Sequence, residues 1–360
     1  MDSKGVRVVA ACASTQGEGT KMNATHDSDL AGQRRSLVGI SRLFGRLAPL
    51  VAVLTVVSFF GGGAVDARAD DDDGNTCTRT ARVAFTACYH DAQDNFWIAI
   101  GNCINESDSD ARGECIDEAK SAVLEERKTC SEQRAARLEV CGAIGEAPYD
   151  PKVDPAKFVD PAEIGKSVAA NPYLPLLRGR TWVYRGGTQT NTVTVTNDTR
   201  TILGVECVVV RDVVEVNGQV IEDTKDWYAQ DIDGNVWYFG EIAQEFEDGE
   251  LVNIDGSWTA GTAGAKPGFA MKAAPLIGAV YRQEFSLGNA EDMAEVLSLT
   301  GAVTVPAASC KGNCLITKEF AAIEPDAEEQ KYYLPGVGQI LTVDTTTGAR
   351  IELIEVKDQP

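Results

Sequence analysis

Histidine is nearly absent from this chain of 360 residues, which contains only His26 and His90. A histidine-rich zinc site is therefore excluded, and a Ser-His-Asp triad would have to use His90. That residue directly follows Tyr89 in a segment predicted to be helical, where a surface position is the simpler interpretation. The sequence therefore predicts no catalytic, metal-binding or cofactor-binding residue.

Basic residues are also in short supply. The chain has 33 lysines and arginines against 54 aspartates and glutamates, which gives a net charge of −21. A protein this acidic is repelled by phosphate backbones and by anionic membrane surfaces. Nucleic acid and anionic membranes are therefore excluded as partners.

The N-terminal region lacks an apolar run long enough for a stable membrane span. Its apolar run, Leu47–Phe60, has about 14 residues, whereas a spanning helix needs about 20. The run lies between Arg34-Arg35 and Ala67-Arg68-Ala69, an order typical of a cleavable export signal. We predict an export signal with a polar N-terminal extension in residues 1–69 and an acidic flexible segment in 70–75. The mature protein is then periplasmic or extracellular, without a stable membrane span.

Cysteine is the most informative residue that is present. Six of the ten cysteines lie between residues 77 and 141, at spacings of 11 and 15 residues within each arm. These spacings are close to whole helical turns. In an antiparallel hairpin that turns near Ser109, residue i lies opposite residue 218 − i, and the six cysteines form three nested pairs. We therefore predict a three-disulfide α-helical hairpin over residues 76–142. The predicted disulfides are Cys77–Cys141, Cys88–Cys130 and Cys103–Cys115.

Three further cysteines lie in the C-terminal half. Cys310 and Cys314 flank a three-residue turn between predicted strands. We interpret them as a structural disulfide, because a redox motif has two intervening residues and usually begins a helix. The alternatives are redox or metal roles, two free thiols, or a bond between one of them and Cys207. Cys207 lies inside an apolar run and is predicted to be a buried, unpaired thiol.

The rest of the chain divides at its prolines. Six of the 13 prolines lie in residues 143–175, which predicts an extended linker. Beyond it, β-branched and aromatic residues alternate with polar ones, and Asn217-Gly218 is a hairpin signal. Residues 176–360 are predicted to be an antiparallel β domain. The predicted fold class is α+β, a disulfide-stapled antiparallel α-helical hairpin followed by an antiparallel β-sheet domain, a barrel or half-barrel.

Three strings carry a family resemblance. They are Asn171-Pro172-Tyr173-Leu174-Pro175, Asp226-Trp227-Tyr228-Ala229-Gln230-Asp231 and Tyr332-Tyr333-Leu334-Pro335-Gly336-Val337-Gly338. These strings resemble segments of a family of bacterial exported proteins that share a C-terminal β domain and have no established activity. The resemblance covers the β domain only, and it implies no activity.

Two acidic clusters invite a chemical interpretation. Residues 231–235, with the sequence Asp-Ile-Asp-Gly-Asn, fit a calcium loop or a hairpin turn. We favour the turn, because an EF-hand loop needs a third ligand residue before its glycine. The second cluster serves either acid–base catalysis or a solvated sheet edge. It consists of Glu241, Glu245, Glu247, Asp248 and Glu250.

Two sets of aromatic residues are the best indications of a binding surface. The first, here called the aromatic stripe, has helical spacing and must pack within the chain, on a partner or on a second copy. It consists of Phe85, Tyr89, Phe96 and Trp97. The second set lies on or beside predicted strands, where it builds the core or lines a groove. It consists of Trp182, Trp227, Trp237 and Trp258.

Together these patterns predict an exported, non-enzymatic binding or interaction protein of the cell envelope that uses no cofactor. Its expected partner is an unknown protein or an apolar ligand held in a curved sheet, and self-association is a further option. The alternative is a carboxylate-dependent hydrolase that acts outside the cytoplasm.

Overall fold

The computed structural model describes residues 73–358. The predicted export signal, residues 1–69, and the first residues of the acidic segment 70–75 lie outside this range. Two helices come first, α1 (Thr76–Ile104) and α2 (Ser109–Ile144). The strands that follow are β1 (Arg180–Gly186), β2 (Gln189–Ile202), β3 (Val205–Val216), β4 (Gln219–Gln230), β5 (Val236–Glu247), β6 (Glu250–Asn253), β7 (Trp258–Thr259), β8 (Lys266–Met271), β9 (Val280–Arg282), β10 (Glu284–Phe285), β11 (Asp292–Val305), β12 (Ala308–Ala321), β13 (Glu324–Leu334), β14 (Gly338–Asp344) and β15 (Arg350–Asp358).

Three disulfides join α1 and α2 in the register that the cysteine spacing predicts. They are Cys77–Cys141, Cys88–Cys130 and Cys103–Cys115. Their Cα–Cα distances are 5.5–5.7 Å, whereas packed helices usually lie 8–10 Å apart. The backbones approach this closely because Ala81, Ala92 and Ala119 fill the seam and are buried. At the turn, Asp108 caps α2 by accepting hydrogen bonds from two backbone amides.

The hairpin is attached to the sheet through the C-terminal half of α2. The side-chain amide of Gln133 donates to the carbonyl oxygen of Ile323 at 2.8 Å. A small apolar cluster of Val140, Met293 and Ala322 lies nearby. Glu146, just beyond α2, accepts hydrogen bonds at the first turn of α1 and ties the two helix ends together.

The strands form one curled antiparallel sheet. Its strand order is β10-β8-β5-β4-β3-β2-β1-β15-β14-β13-β12-β11-β9, and β6 and β7 pair with β5 beside this path. The hydrogen-bonded path is not closed, so the sheet is a half-barrel. Its two terminal strands, β9 and β10, are nevertheless consecutive in the chain and are separated only by Gln283. This passage of the chain encloses the concave face. The predicted α+β fold class, a helical hairpin followed by an antiparallel β domain, is confirmed.

The proline-rich region makes more contacts with the sheet than an extended linker requires. Within residues 145–179, here called the connecting segment, the amide of Val159 donates to the carbonyl oxygen of Gln230 at 3.0 Å. The side chain of Asn171 is buried and donates to the carbonyl oxygen of Gly234. Two short 3-10 turns, Pro155–Lys157 and Pro161–Glu163, interrupt a segment that is otherwise without helix. The connecting segment therefore lies against the half-barrel.

The C-terminal cysteines occupy two different environments. Cys310 and Cys314 form the predicted disulfide. Cys207 is unpaired and buried, and burial raises the pKa of its thiol to about 12. Between residues 73 and 358, no helix is both long and apolar enough to cross a bilayer.

Gly268 allows the two edges of the half-barrel to meet. A Cβ atom at this position would lie 2.4 Å from the carbonyl oxygen of Gln283, closer than side chains tolerate. We expect Gly268→Ala to lower the free energy of unfolding by about 1–3 kcal/mol, because backbone must move to relieve the clash. Gly113→Ala is the matched control, since open space surrounds that glycine in α2 and alanine favours helix. Urea unfolding midpoints measure both changes, and equal midpoints for the two variants would contradict the close approach.

Candidate functional site

The concave face of the half-barrel carries more polar side chains than a protein core normally contains. On β4 the alternation of a strand turns Glu222, Thr224, Asp226 and Tyr228 to this face, and all four are buried. Lys331 on β13 is buried as well. Charged residues are seldom buried unless they are paired, so the partners of these groups decide their chemistry.

One wall of the interior holds an ion pair. The ammonium of Lys331 lies 2.7 Å from a carboxylate oxygen of Glu319 and 3.7 Å from one of Glu329. The hydroxyl of Tyr333 donates to Glu319 at 2.8 Å. Burial alone would raise the pKa of Glu319, but the Lys331 charge and these hydrogen bonds lower it on balance. Burial likewise opposes the charge of Lys331, yet the two glutamates raise its pKa. Both Lys331 and Glu319 are therefore charged at neutral pH.

The opposite wall holds carboxyl groups whose environment favours the protonated form. The hydroxyl of Tyr238 donates to Asp226 at 2.5 Å, and the rings of Tyr228 and Tyr238 stack with centroids 4.6 Å apart. Burial raises the pKa of Asp226 well above its usual value, and neighbouring carboxylates add to the effect. Burial and the nearby Asp226 raise the pKa of Glu241 in the same way. This wall therefore presents phenols and carboxylic acids, which donate and accept hydrogen bonds without net charge.

Asp212 on β3 is the least satisfied group of the interior. Its exposed fraction is 1%, and neither carboxylate oxygen has a hydrogen-bond partner among residues 73–358. Burial, followed by the repulsion of Glu222, raises the pKa of Asp212 well above its usual value, although Lys331 opposes the shift. A buried carboxyl without partners costs free energy in its charged form, so Asp212 also keeps its proton.

A cavity of about 70 Å³ lies between these walls. Leu174, Leu176 and Trp182 belong to its apolar lining. The connecting segment supplies the two leucines, and the side chain of Asn171 holds that turn by accepting the amides of Tyr173 and Leu174. The polar lining comes from the strands. It consists of Tyr184, Tyr228, Tyr238, Gln283, Glu284, Asp292, Glu319, Lys331, Tyr333 and Gln339.

The four predicted tryptophans are not brought to one surface. Trp182 lines the cavity and donates its indole N–H to the carbonyl oxygen of Val337 at 2.7 Å. Trp258 is buried against the ring of Tyr238. The other two, Trp227 and Trp237, take no part in the cavity lining.

Both of those tryptophans are covered by other parts of the chain. Trp227 is buried beneath the guanidinium of Arg200, which lies 3.8 Å from its ring centroid. Trp237 packs against Phe269 and against Phe158 of the connecting segment. They serve the packing of the convex face.

The aromatic stripe on α1 is covered in part by α2. The guanidinium of Arg127 lies over the ring of Tyr89, and that of Arg134 lies over the ring of Phe85. Trp97, farther along the hairpin, has an exposed fraction of 62% and contacts Phe96 edge to face. Cover by a partner or by a second copy of the chain stays a prediction.

The two acidic clusters identified in the sequence lie in different environments. Asp231 accepts hydrogen bonds from the amides of Asp233 and Asn235 and from the indole of Trp237, as in a hairpin turn. No group of three or more potential metal ligands occurs in the described part of the chain. Of the five carboxylates predicted around β5 and β6, Glu241 lies beside Asp226 across the ladder, whereas the Asp248 turn is exposed.

The ion pair and Asp212 were missed by the sequence interpretation. Lys331 and Tyr333 are two residues apart, as are Asp226 and Tyr228, so each pair shares one face of its strand. Alternation alone does not show which face of a strand is buried when both faces carry polar residues. The signal that could have placed Lys331 in the interior is its position two residues before Tyr333, on the same face of the strand.

The raised pKa of Asp212 predicts a pH-dependent stability. Below about pH 4, the usual pKa of aspartate, the group is protonated in both states and contributes nothing. As the pH rises, only the unfolded chain releases the proton, and stability is lost by up to about 1.4 kcal/mol per pH unit. Asp212→Asn should therefore match the wild type near pH 4 and exceed it increasingly towards pH 7 in denaturant unfolding. Asp223→Asn, which alters the Arg211 ion pair, is the control without this trend, and parallel curves for Asp212→Asn and the wild type would contradict the burial argument.

Comparison with known proteins identifies no relative from which a function could be inferred. No family model, curated protein or solved structure matches the chain. The resemblance of the β domain to bacterial exported proteins accordingly stays a prediction, and the cavity is the feature from which a function has to be argued.

Proposed function

We propose that the protein is an exported binding protein whose half-barrel holds a small neutral ligand with an apolar body and a hydrogen-bonding head. The observation that carries this proposal is the cavity, because its lining combines apolar side chains with phenols, carboxyl groups and a neutralised lysine. Ligand sites commonly combine apolar walls with a few convergent polar groups.

The size of the cavity limits the ligand. At about 70 Å³ it is smaller than the roughly 150 Å³ cavity that accepts benzene in an engineered protein. The ligand is therefore a molecule of a few non-hydrogen atoms, or the end of a longer chain that enters the cavity.

The charge state of the lining argues for a neutral head. Glu319 already compensates the charge of Lys331 at 2.7 Å. Asp226 and Asp212 do not line the cavity, and their raised pKa values keep them protonated, so they add no charge beside it. A hydroxyl or amide head can exchange hydrogen bonds with the phenols and with Glu319 of the lining, whereas an ionic head would lose its hydration without gaining a free counter-charge.

The disulfides support the proposed compartment. Four disulfides occur between residues 73 and 358, and such bonds persist in oxidising compartments. Together with the predicted export signal, they support a periplasmic or extracellular protein that acts at the cell envelope.

Titration with small probes tests the binding proposal. Butanol and propionamide should produce saturable NMR shifts at Leu176 and Tyr333, with a Kd on the order of 1 mM, and propylammonium should not. Tyr333→Phe should weaken binding of propionamide by about three- to tenfold through loss of one hydrogen bond. Tyr332→Phe is the matched control, because Tyr332 points to the other face of β13. Absence of saturable shifts with both neutral probes would overturn the proposal.

A hydrolase is the second candidate, because carboxyl groups with opposite pKa shifts lie on the concave face, Glu319 in the cavity lining and Asp226 hydrogen-bonded to the lining residue Tyr238. The pKa of Asp226 is raised and that of Glu319 is lowered, a pattern that suits one general acid and one charged partner. In this case the protein should cleave a p-nitrophenyl ester or glycoside, and Asp226→Asn and Glu319→Gln should each abolish turnover while Asp223→Asn does not. Turnover that survives both substitutions would exclude these roles.

A further inference from the structure

A second cavity, of about 40 Å³, lies where the hairpin meets the sheet. It is formed by α1, α2, the connecting segment and residues 282–291. Two arginines line it, Arg137 from α2 and Arg282 from β9, with exposed fractions of 6% and 9%. Buried guanidinium groups need partners for their N–H donors, so the partners of these two arginines are informative.

Arg137 uses only one side of its guanidinium. Its Nε and Nη2 atoms donate to Glu291 at 2.8–3.2 Å. The remaining nitrogen, Nη1, is buried and has no hydrogen-bond partner among the described residues. Glu291 is occupied on its own side as well, because it also accepts the amide of Gly288 at 2.7 Å.

Arg282 is held by rings rather than by a carboxylate. Its guanidinium lies 5.4 Å from the ring centroid of Tyr149 and 4.7 Å from that of Phe285. Its Nη1 atom contacts the sulfur of Met293 at 3.8 Å, and its Nε atom is buried without a partner. Burial lowers the pKa of Arg282 on balance, although the charge of Glu291 and the phenol of Tyr149 oppose the shift, and Arg137 adds to it.

The charges around the cavity do not balance. Two guanidinium groups face one carboxylate, Glu291, so the junction has an excess of one positive charge. Tyr149 does not compensate it, because burial raises the pKa of its phenol to about 12. The first turn of α1 also borders the cavity, but its amides are served by Glu146, so the excess charge comes from the two arginines.

We propose that this junction binds a small monovalent carboxylate, which accepts hydrogen bonds from Arg137 Nη1 and Arg282 Nε. A carboxylate has two oxygens for two free donors, and its single charge equals the excess. The cavity has room for it, because about 10–15 Å³ by this measure accepts one water molecule. Since Arg137 belongs to the hairpin and Arg282 to the sheet, the bound anion joins the two and stabilises their contact.

Thermal unfolding of the purified, oxidised protein tests the site. Sodium acetate should raise the Tm in a saturable way at pH 7, compared with sodium chloride at equal ionic strength. Arg282→Met should abolish the rise while its side chain still fills the space between the rings. Arg137→Lys retains the charge beside Glu291 and should weaken acetate binding by about tenfold or more through loss of a charged hydrogen bond.

Arg211→Met is the matched control, because Arg211 is paired with Asp223 and remote from the junction residues. It should leave the acetate response unchanged. The proposal is overturned if acetate and chloride act alike on the wild type, or if Arg211→Met loses the response as fully as Arg282→Met. Tighter binding of sulfate than of acetate would overturn the assignment to a carboxylate. If Arg282→Met does not fold, acetate calorimetry on the wild type and Arg137→Lys decides the matter.

Discussion

Exclusion of water from the concave face of the sheet determines the chemistry of this protein. The enclosure depends on the passage of the chain from β9 to β10 through Gln283, opposite Gly268. In the resulting low dielectric, a pair such as Lys331 and Glu319 attracts more strongly than it would in water. The same environment removes the charge from Asp212. One constraint therefore produces groups with opposite pKa shifts on a single concave face.

The α-helical hairpin is stabilised by disulfides rather than by a large apolar core. Its seam is made of alanines and disulfides and offers little apolar area to bury, so covalent links take the role that a core plays in the sheet. The outermost disulfide, Cys77–Cys141, closes the longest loop and lies beside the junction with the half-barrel. The junction is therefore rigid on the helical side, and the positions of Arg137 and Thr76 relative to each other are covalently constrained.

The sequence predicted the hairpin in detail because disulfide geometry tolerates little error. A Cα–Cα distance of 4.4–6.8 Å is required, so the nested positions of the cysteines admit only one simple register. The antiparallel sheet of the β domain was predicted because apolar and polar residues alternate along its strands. The assignment of residues to faces was harder, since the connecting segment covers part of the convex face. Trp237 is therefore packed outside the cavity, beneath Phe158, whereas Lys331 is inside.

The position of the connecting segment against the half-barrel also could not be predicted from the sequence. The prolines of residues 143–175 predict extended backbone, but they carry no information on where that backbone lies. Leu174 and Leu176 reach the cavity because Asn171 turns the chain there. Such a contact depends on tertiary structure alone. Part of the cavity wall thus comes from a segment whose position local patterns do not predict.

The buried Cys207 has a consequence for oxidative folding. Residues 73–358 contain eight paired cysteines and this one free thiol. An unpaired cysteine that stays accessible competes for partners and traps scrambled isomers, since exchange requires attack by a thiolate. With a pKa of about 12, the Cys207 thiol is almost entirely protonated at neutral pH, and β3 shields it from solvent. Once the sheet has assembled around β3, the Cys207 thiol no longer takes part in thiol–disulfide exchange. The order in which the sheet and the hairpin fold therefore decides what fraction of the protein reaches the native disulfide pairing without an isomerase.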